Sequence, residues 1–123
     1  MFILSILPIG LAVVRLPASS EFPKWVLEGE FFSITKTSDE MSIVSVEDIV
    51  PQGVQAEKGW GCFKVEGPLD LAQTGVLAAL TAPLAAAEIT VFAISTFDTD
   101  YLLVKRENLA KAITALSSIC KIL

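Results

Sequence analysis

The residues best equipped for chemistry sit in one short block, "ISTFDTDYLLV", residues 94–104. It gathers two carboxylates (Asp98 and Asp100), three hydroxyls (Ser95, Thr96 and Thr99) and one aromatic ring, Phe97. Carboxylates so placed offer charge-assisted bonds to an ammonium group. A ring beside them covers an aliphatic chain or presents its face to a cation. Asp and Thr in a tight hairpin also bond their own backbone, so turn formation competes with ligand contact for Asp98 and Asp100. Thr96 reads equally as an ordinary strand residue and Phe97 as a packing residue. A smaller knot, Asp39 and Glu40, reads as a solvated turn, with Glu40 kept as a candidate for a second site.

Catalysis is poorly served. Histidine is absent, which removes imidazole zinc ligands and the commonest general acid and base. Asp98 and Asp100 are two residues apart on one turn, not held across a cleft as a glycosidase pair would be. No Gly-rich phosphate loop, nucleophile elbow or metal-ligand cluster occurs. The expectation is a chain that is not an enzyme, with no cofactor and no metal.

The elements that must position this block follow from periodicity. Runs 89–95 and 100–105 read as strands flanking the polar knot. Upstream, "GWGCFKVEG" (59–67) reads as a strand, ended by Gly67 and Pro68. Asp70 and Gln73 form a D-x-x-Q pattern, a candidate helix start. Val76, Leu77, Leu80, Leu84 and Ala87 then repeat at helical spacing, with Pro83 expected to kink or shorten the helix. A last amphipathic helix at about 107–119 should bury Leu109, Ile113 and Leu116. The order βαββα is the ferredoxin-like unit without its final strand, which an N-terminal strand could supply. Earlier in the chain, "FILSILP" and "GLAVVRLP" read as strands, "FPKWVLEGE" as a short helical turn, and 31–36 and 41–47 as a hairpin.

That hairpin repeats the later one. Residues 31–49 align without gaps on 91–109, an offset of sixty that puts Phe32 on Phe92, Ile34 on Ile94 and Glu40 on Asp100. The organisation expected is an N-terminal half at 1–50, a linker at 51–58 and a C-terminal domain at 59–123. The fold class is α+β: two ferredoxin-like halves, antiparallel sheet with helices on one face, the first half having replaced its long helix with an extra strand and a turn.

Composition bounds the setting. Apolar residues make up 53% of the chain and the mean hydropathy is +0.63. So much apolar surface calls for extensive burial or a second subunit, and a homodimer is expected. Nine scattered basic residues and a net charge of −5 give no phosphate-tracking stripe, which argues against nucleic acid and against an anionic membrane surface. Residues 71–87 fall short of a membrane span. Residues 1–14 lack the basic start of a secretory signal and are broken by Pro8 and Gly10. Two cysteines, Cys62 and Cys120, make no disulfide framework and suit a reducing cytoplasm.

The stretch "GPLDLAQTGVLAALTAPLAAAEITVFAISTFDTDYLLV" (67–104) resembles the ACT-domain family, in particular its small bacterial members. These carry a G-P-L…G-V-L…A-P-L-A…I-S-T-[FY]-x-T-D-Y-x-L-V signature and are related to the animal cytosolic arginine sensor. "TKTSDEMSIV" (35–44) is similar to the same branch. The resemblance implies tandem ACT-type units that regulate by binding small ligands, usually amino acids, at domain or subunit interfaces. Carried over, the ligand-binding positions are Asp70, Gln73, Gly75, Thr96, Phe97 and Asp100, with Val76 opening the helix and Asp98 beside Asp100. Gln73 stands where the arginine sensor carries an acidic residue.

Physical chemistry supplies a reason for each. A helix N-terminus presents free N–H groups and positive dipole to a carboxylate. Gly75 leaves that approach open. Asp100 and Asp98 take the ammonium. The function expected is a non-catalytic amino-acid-binding sensor module whose output passes to another protein. The alternative is an interaction module that keeps the fold for subunit pairing and has lost its ligand site.

Overall fold

In a computed structural model of the chain, residues 2–67, 69 and 73–123 are described. Their elements run β1 (Phe2–Ile6), β2 (Leu11–Leu16), β3 (Phe32–Lys36), β4 (Met41–Val46), β5 (Ala56–Val65), α1 (Val76–Ala86), β6 (Phe92–Ser95), β7 (Asp100–Lys105), α2 (Leu109–Leu116) and β8 (Cys120–Ile122). Two compact units result: Ile9–Trp60, and the residues up to Pro8 together with Gly61–Leu123.

In the Ile9–Trp60 unit the strands lie in the order β3, β4, β2 and the first part of β5, all antiparallel. Alternation sends Ala12, Val14, Met41 and Ile43 to one face, where they bury with Val26 and Val50. Where a long helix might stand there is a single 3-10 turn, Lys24–Glu28, which contributes Val26 to the core. Trp60 is buried and donates its indole N–H to Glu57 O at 3.1 Å, so its polar edge is satisfied.

The second unit carries the helices. Its strand order is β6, β7, β5, β1, β8. From β5 onward the chain runs β5-α1-β6-β7-α2-β8, a full βαββαβ sequence. The final strand expected to be missing is therefore present, as the three-residue β8. It does not reach β5. β1 lies between them, antiparallel to β5 and parallel to β8, so the sheet is mixed rather than purely antiparallel. The N-terminal strand takes the place beside β5 because Leu4, in register with Val65, completes the apolar face. Val76, Leu80 and Leu84 of α1 and Ala112 and Leu116 of α2 bury against Phe63, Val65, Leu102 and Val104, which places both helices on one sheet face.

Helix α1 starts later than the D-x-x-Q pattern suggests. Its N-cap is Gly75, at φ +82, and no side chain caps it. Gln73 lies before the helix, where it cannot serve as the inner residue of a capping box. A left-handed residue stops helical geometry from extending backward, and glycine adopts it without penalty. Pro83 is inside α1, and the helix ends three residues beyond it.

The two hairpins match one another, but at a spacing of fifty-nine rather than sixty. Met41 opens β4 as Asp100 opens β7, and both strands show the same burial pattern, buried at the first and at the third to fifth residues and half-buried at the second and sixth. Lys36 pairs with Met41, and Ser95 with Asp100, each pair closing a four-residue turn. Thr37 N donates to Glu40 O at 2.9 Å, and Thr96 N to Thr99 O at 2.8 Å. Glu40 thus corresponds to Thr99, and it is Met41 that stands where Asp100 does. Aligning Phe32 on Phe92 matches letters, but a slip of one residue turns every side chain to the other face.

Candidate functional site

The β6–β7 turn is tied by its own hydroxyls. Thr96 Oγ1 accepts from Thr99 N at 3.3 Å and lies 3.1 Å from Thr99 O, to which it donates. Thr99 is buried and donates from Oγ1 to Val65 O, anchoring the turn to β5. Thr37 plays the same part in the other hairpin, accepting from Asp39 N and Glu40 N at 3.1 and 3.2 Å. Threonine is therefore the turn former in both. No hydrogen bond joins the Asp98 carboxylate among the described residues, so the turn does not need it.

Asp100 is different. It is 9% exposed, and its Oδ1 accepts from Ser95 Oγ at 2.6 Å. A buried carboxylate is costly unless it is hydrogen-bonded or paired with a cation. The Ser95 bond meets that need, and among the described residues no buried side-chain oxygen is left without a partner. Asp100 has no cation partner among them.

The segment after β5 is held onto this turn. Leu69 N donates to Asp98 O at 2.6 Å. Gly67 makes the approach possible: a Cβ there would lie 2.8 Å from Leu69 N and 3.1 Å from Asp98 O. The chain then reaches Gln73 and Gly75, which bring the start of α1 alongside the hairpin.

Between them lies a crevice of about 270 Å³. Gln73, Gly75, Val76 and Leu77 line it from the helix side, Ser95, Thr96, Phe97, Asp98, Thr99 and Asp100 from the hairpin, and Leu69 from the segment between. Its size is just below the roughly 300–1,000 Å³ of drug-sized sites, which suits a smaller molecule. Seven of the eight positions named from sequence meet here: Gln73, Gly75, Val76, Thr96, Phe97, Asp98 and Asp100. Asp70 lies outside the described residues. The ligand positions named from sequence left out Leu69, Leu77, Ser95 and Thr99, although the last two are among the hydroxyls of the block. Ser95 was signalled by its place opposite Asp100 across a four-residue turn. Phe97 is 78% exposed, so it is not a core residue.

The chemistry on offer is lopsided. Two carboxylates, several hydroxyls and one amide line the crevice, and the described lining has no Lys or Arg. Within the described lining the electropositive feature is the α1 N-terminus, whose first turn contains no acidic residue. Glu40 borders a separate hollow of its own unit with Arg15, Ser42 and Glu57. Among the described residues no three His, Cys, Asp or Glu side chains cluster as metal ligands would, and no helix is long and apolar enough to cross a membrane.

Comparison with known proteins gives a consistent picture. The family described as ACT domain matches residues 55–118. A second family, described as an N-terminal domain, matches residues 10–53. The human protein CASTOR3P is 30% identical over 104 residues, covering 72% of this chain and 63% of its own length. The chain thus spans less than two thirds of that relative. Among solved structures, a protein from Agobacterium tumefaciens is 40% identical with a TM-score of 0.93, covering 99% of this chain and 92% of that one. The ligand-free regulatory subunit of aspartate kinase from Thermus thermophilus has a TM-score of 0.66 at 9% identity, covering 96% of each chain, a likeness of fold alone.

Proposed function

The chain belongs to the ACT-domain family, and on that footing we propose that it is a non-catalytic regulatory module whose second unit binds one free amino acid. The observation that carries this reading is Asp100, nine-tenths buried and lacking a cation among the described residues, in the same crevice as the uncapped N-terminus of α1. An amino acid supplies a cation for the one and an anion for the other. Its ammonium pairs with Asp100, and its carboxylate takes the free N–H groups of the first helical turn. Asp98 lies beside Asp100, Gln73 and Thr96 add polar contacts, and Phe97 folds over the aliphatic part. Asp70 belongs to the same set by its place in the segment before α1. The aspartate kinase regulatory subunit supports the fold side of this reading.

The ligand-binding unit is the helix-bearing one, Gly61–Leu123 together with the residues up to Pro8, and the Ile9–Trp60 unit carries a similar hairpin without the helix. The module works as a homodimer in the cytoplasm. The exposed ring of Phe97 and the exposed Ala78, Ala79 and Ala82 of α1 supply apolar surface for a second copy. Two free, buried cysteines fit a reducing compartment. Regulation is exerted on a separate protein.

The same apolar surface favours the second reading, a pairing module without a ligand. A thermal-shift screen of the twenty amino acids separates the two. A ligand that binds only the folded state raises its stability by about 2.7 kcal/mol at a hundred times its Kd. Should no amino acid raise the Tm, the pairing module stands in its place.

A further inference from the structure

We infer that the crevice rejects acidic ligands and accepts an α-amino acid only when its side chain is neutral or cationic. This rests on the reading of the crevice as an amino-acid seat and adds to it a selectivity set by charge.

Among the described residues the charged lining consists of Asp98 and Asp100. Gln73, the polar residue facing them from the helix side, is neutral. The remaining residues of the same segment, Pro68, Asp70, Leu71 and Ala72, contain no base either. A single helix end carries about half a positive charge and a few free N–H groups, enough for one carboxylate. That place is taken by the ligand's own α-carboxylate. Asp100, nine-tenths buried with Oδ1 held by Ser95, takes the α-ammonium. A second carboxylate on the ligand would face Asp98 with no cation to receive it. One basic side chain of this unit, Lys64, comes close to Asp98. It borders a different hollow, with Gly67, Asp98 and Thr99, and does not line the crevice. From there it tempers the field of Asp98. Like charges placed together cost several kcal/mol, so the acid of an acid–amide pair should bind about a hundredfold more weakly than its amide.

The test uses the full chain, with isothermal titration and thermal shift against all twenty amino acids. Glutamate is compared with glutamine and aspartate with asparagine, pairs matched in shape and different in charge. The expected result is a bound set made only of neutral or basic amino acids. Gln73→Lys, at an exposed position, should then gain binding of an acidic amino acid, and Asp98→Asn should narrow the gap between acids and the rest. If glutamate or aspartate binds the wild type as tightly as the best neutral or basic amino acid, and Asp100→Ala abolishes that binding, the seat stands and the charge selectivity is wrong. If Asp100→Ala binds as the wild type does, the seat itself is wrong. If none of the twenty binds, the underlying reading falls and this inference falls with it.

Discussion

Ser95 Oγ donates to Asp100 Oδ1 at 2.6 Å, across the pair that closes the β6–β7 hairpin. The bond orients a carboxylate that lines the crevice. Asp100→Ala should abolish stabilisation by any bound amino acid. Ser95→Ala should keep the charge but lose its orientation. One hydrogen bond is worth about 1 kcal/mol, so binding should weaken about fivefold. Titration calorimetry on both variants checks the ranking, and a Ser95→Ala protein with unchanged affinity would show that the bond positions nothing.

Thr96 and Asp98 should separate cleanly. Thr96→Val removes the hydroxyl that accepts from Thr99 N and should cost about 1 kcal/mol of stability. Asp98→Asn, at an exposed side chain with no hydrogen bond among the described residues, should stay within about 0.5 kcal/mol. Urea melts of the two variants give the comparison. Equal losses would mean that Asp98 supports the turn after all.

Gly75 allows strain and space to be tested apart. A Cβ at this position meets nothing within 4 Å, yet φ is +82. Gly75→Ala and Gly75→Leu should therefore lose similar stability, about 1–2 kcal/mol for a left-handed L-residue. Only leucine puts a large side chain into the crevice, so only Gly75→Leu should also lose the ligand. Loss of binding in the alanine variant would point instead to a shifted helix start.

Gly67 is the reverse case, limited by space and not by φ. Gly67→Ala must push apart the Leu69 N–H and Asp98 O that bond at 2.6 Å. It should weaken binding more than it lowers the Tm, because the displaced segment carries Leu69 and Gln73 into the lining. A Tm loss with intact affinity would argue against that role.

Cys62 predicts an alkaline limit. Burial pushes its thiol up to about 12 from 9.0. The unfolded chain releases this proton near 9 and the folded chain does not. Below 9 both states hold the proton, and the contribution is complete. Above 9 the unfolded state is favoured, by up to about 1.4 kcal/mol per pH unit, until the folded thiol also ionises. Stability measured from pH 8 to 11 should fall less steeply for Cys62→Ala. Burial raises the Cys120 thiol as well, so neither cysteine should react with a thiol reagent in the native protein.

Residue types and local periodicity decided a good deal on their own. The strands around residues 89–95 and 100–105, the helical spacing of Val76, Leu80 and Leu84, and the concentration of acceptors in "STFDTD" were all legible, because each depends on a few consecutive side chains. The ACT-domain family was legible from the same block. Three matters were settled only in three dimensions. The hairpin correspondence moved from sixty to fifty-nine because turn geometry fixes register, while letter matching ignores that a one-residue slip exchanges the faces of a strand. The start of α1 fell at Gly75 because backbone handedness there outweighs the side-chain pattern of Asp70 and Gln73. The place of β1 between β5 and β8 depends on pairing residues about sixty positions apart, Leu4 with Val65, and no local signal encodes a partner at that distance. For the same reason Thr99, a plain hydroxyl in sequence, took its role only when the fold set it against Val65, whereas Ser95 meets Asp100 across a local turn.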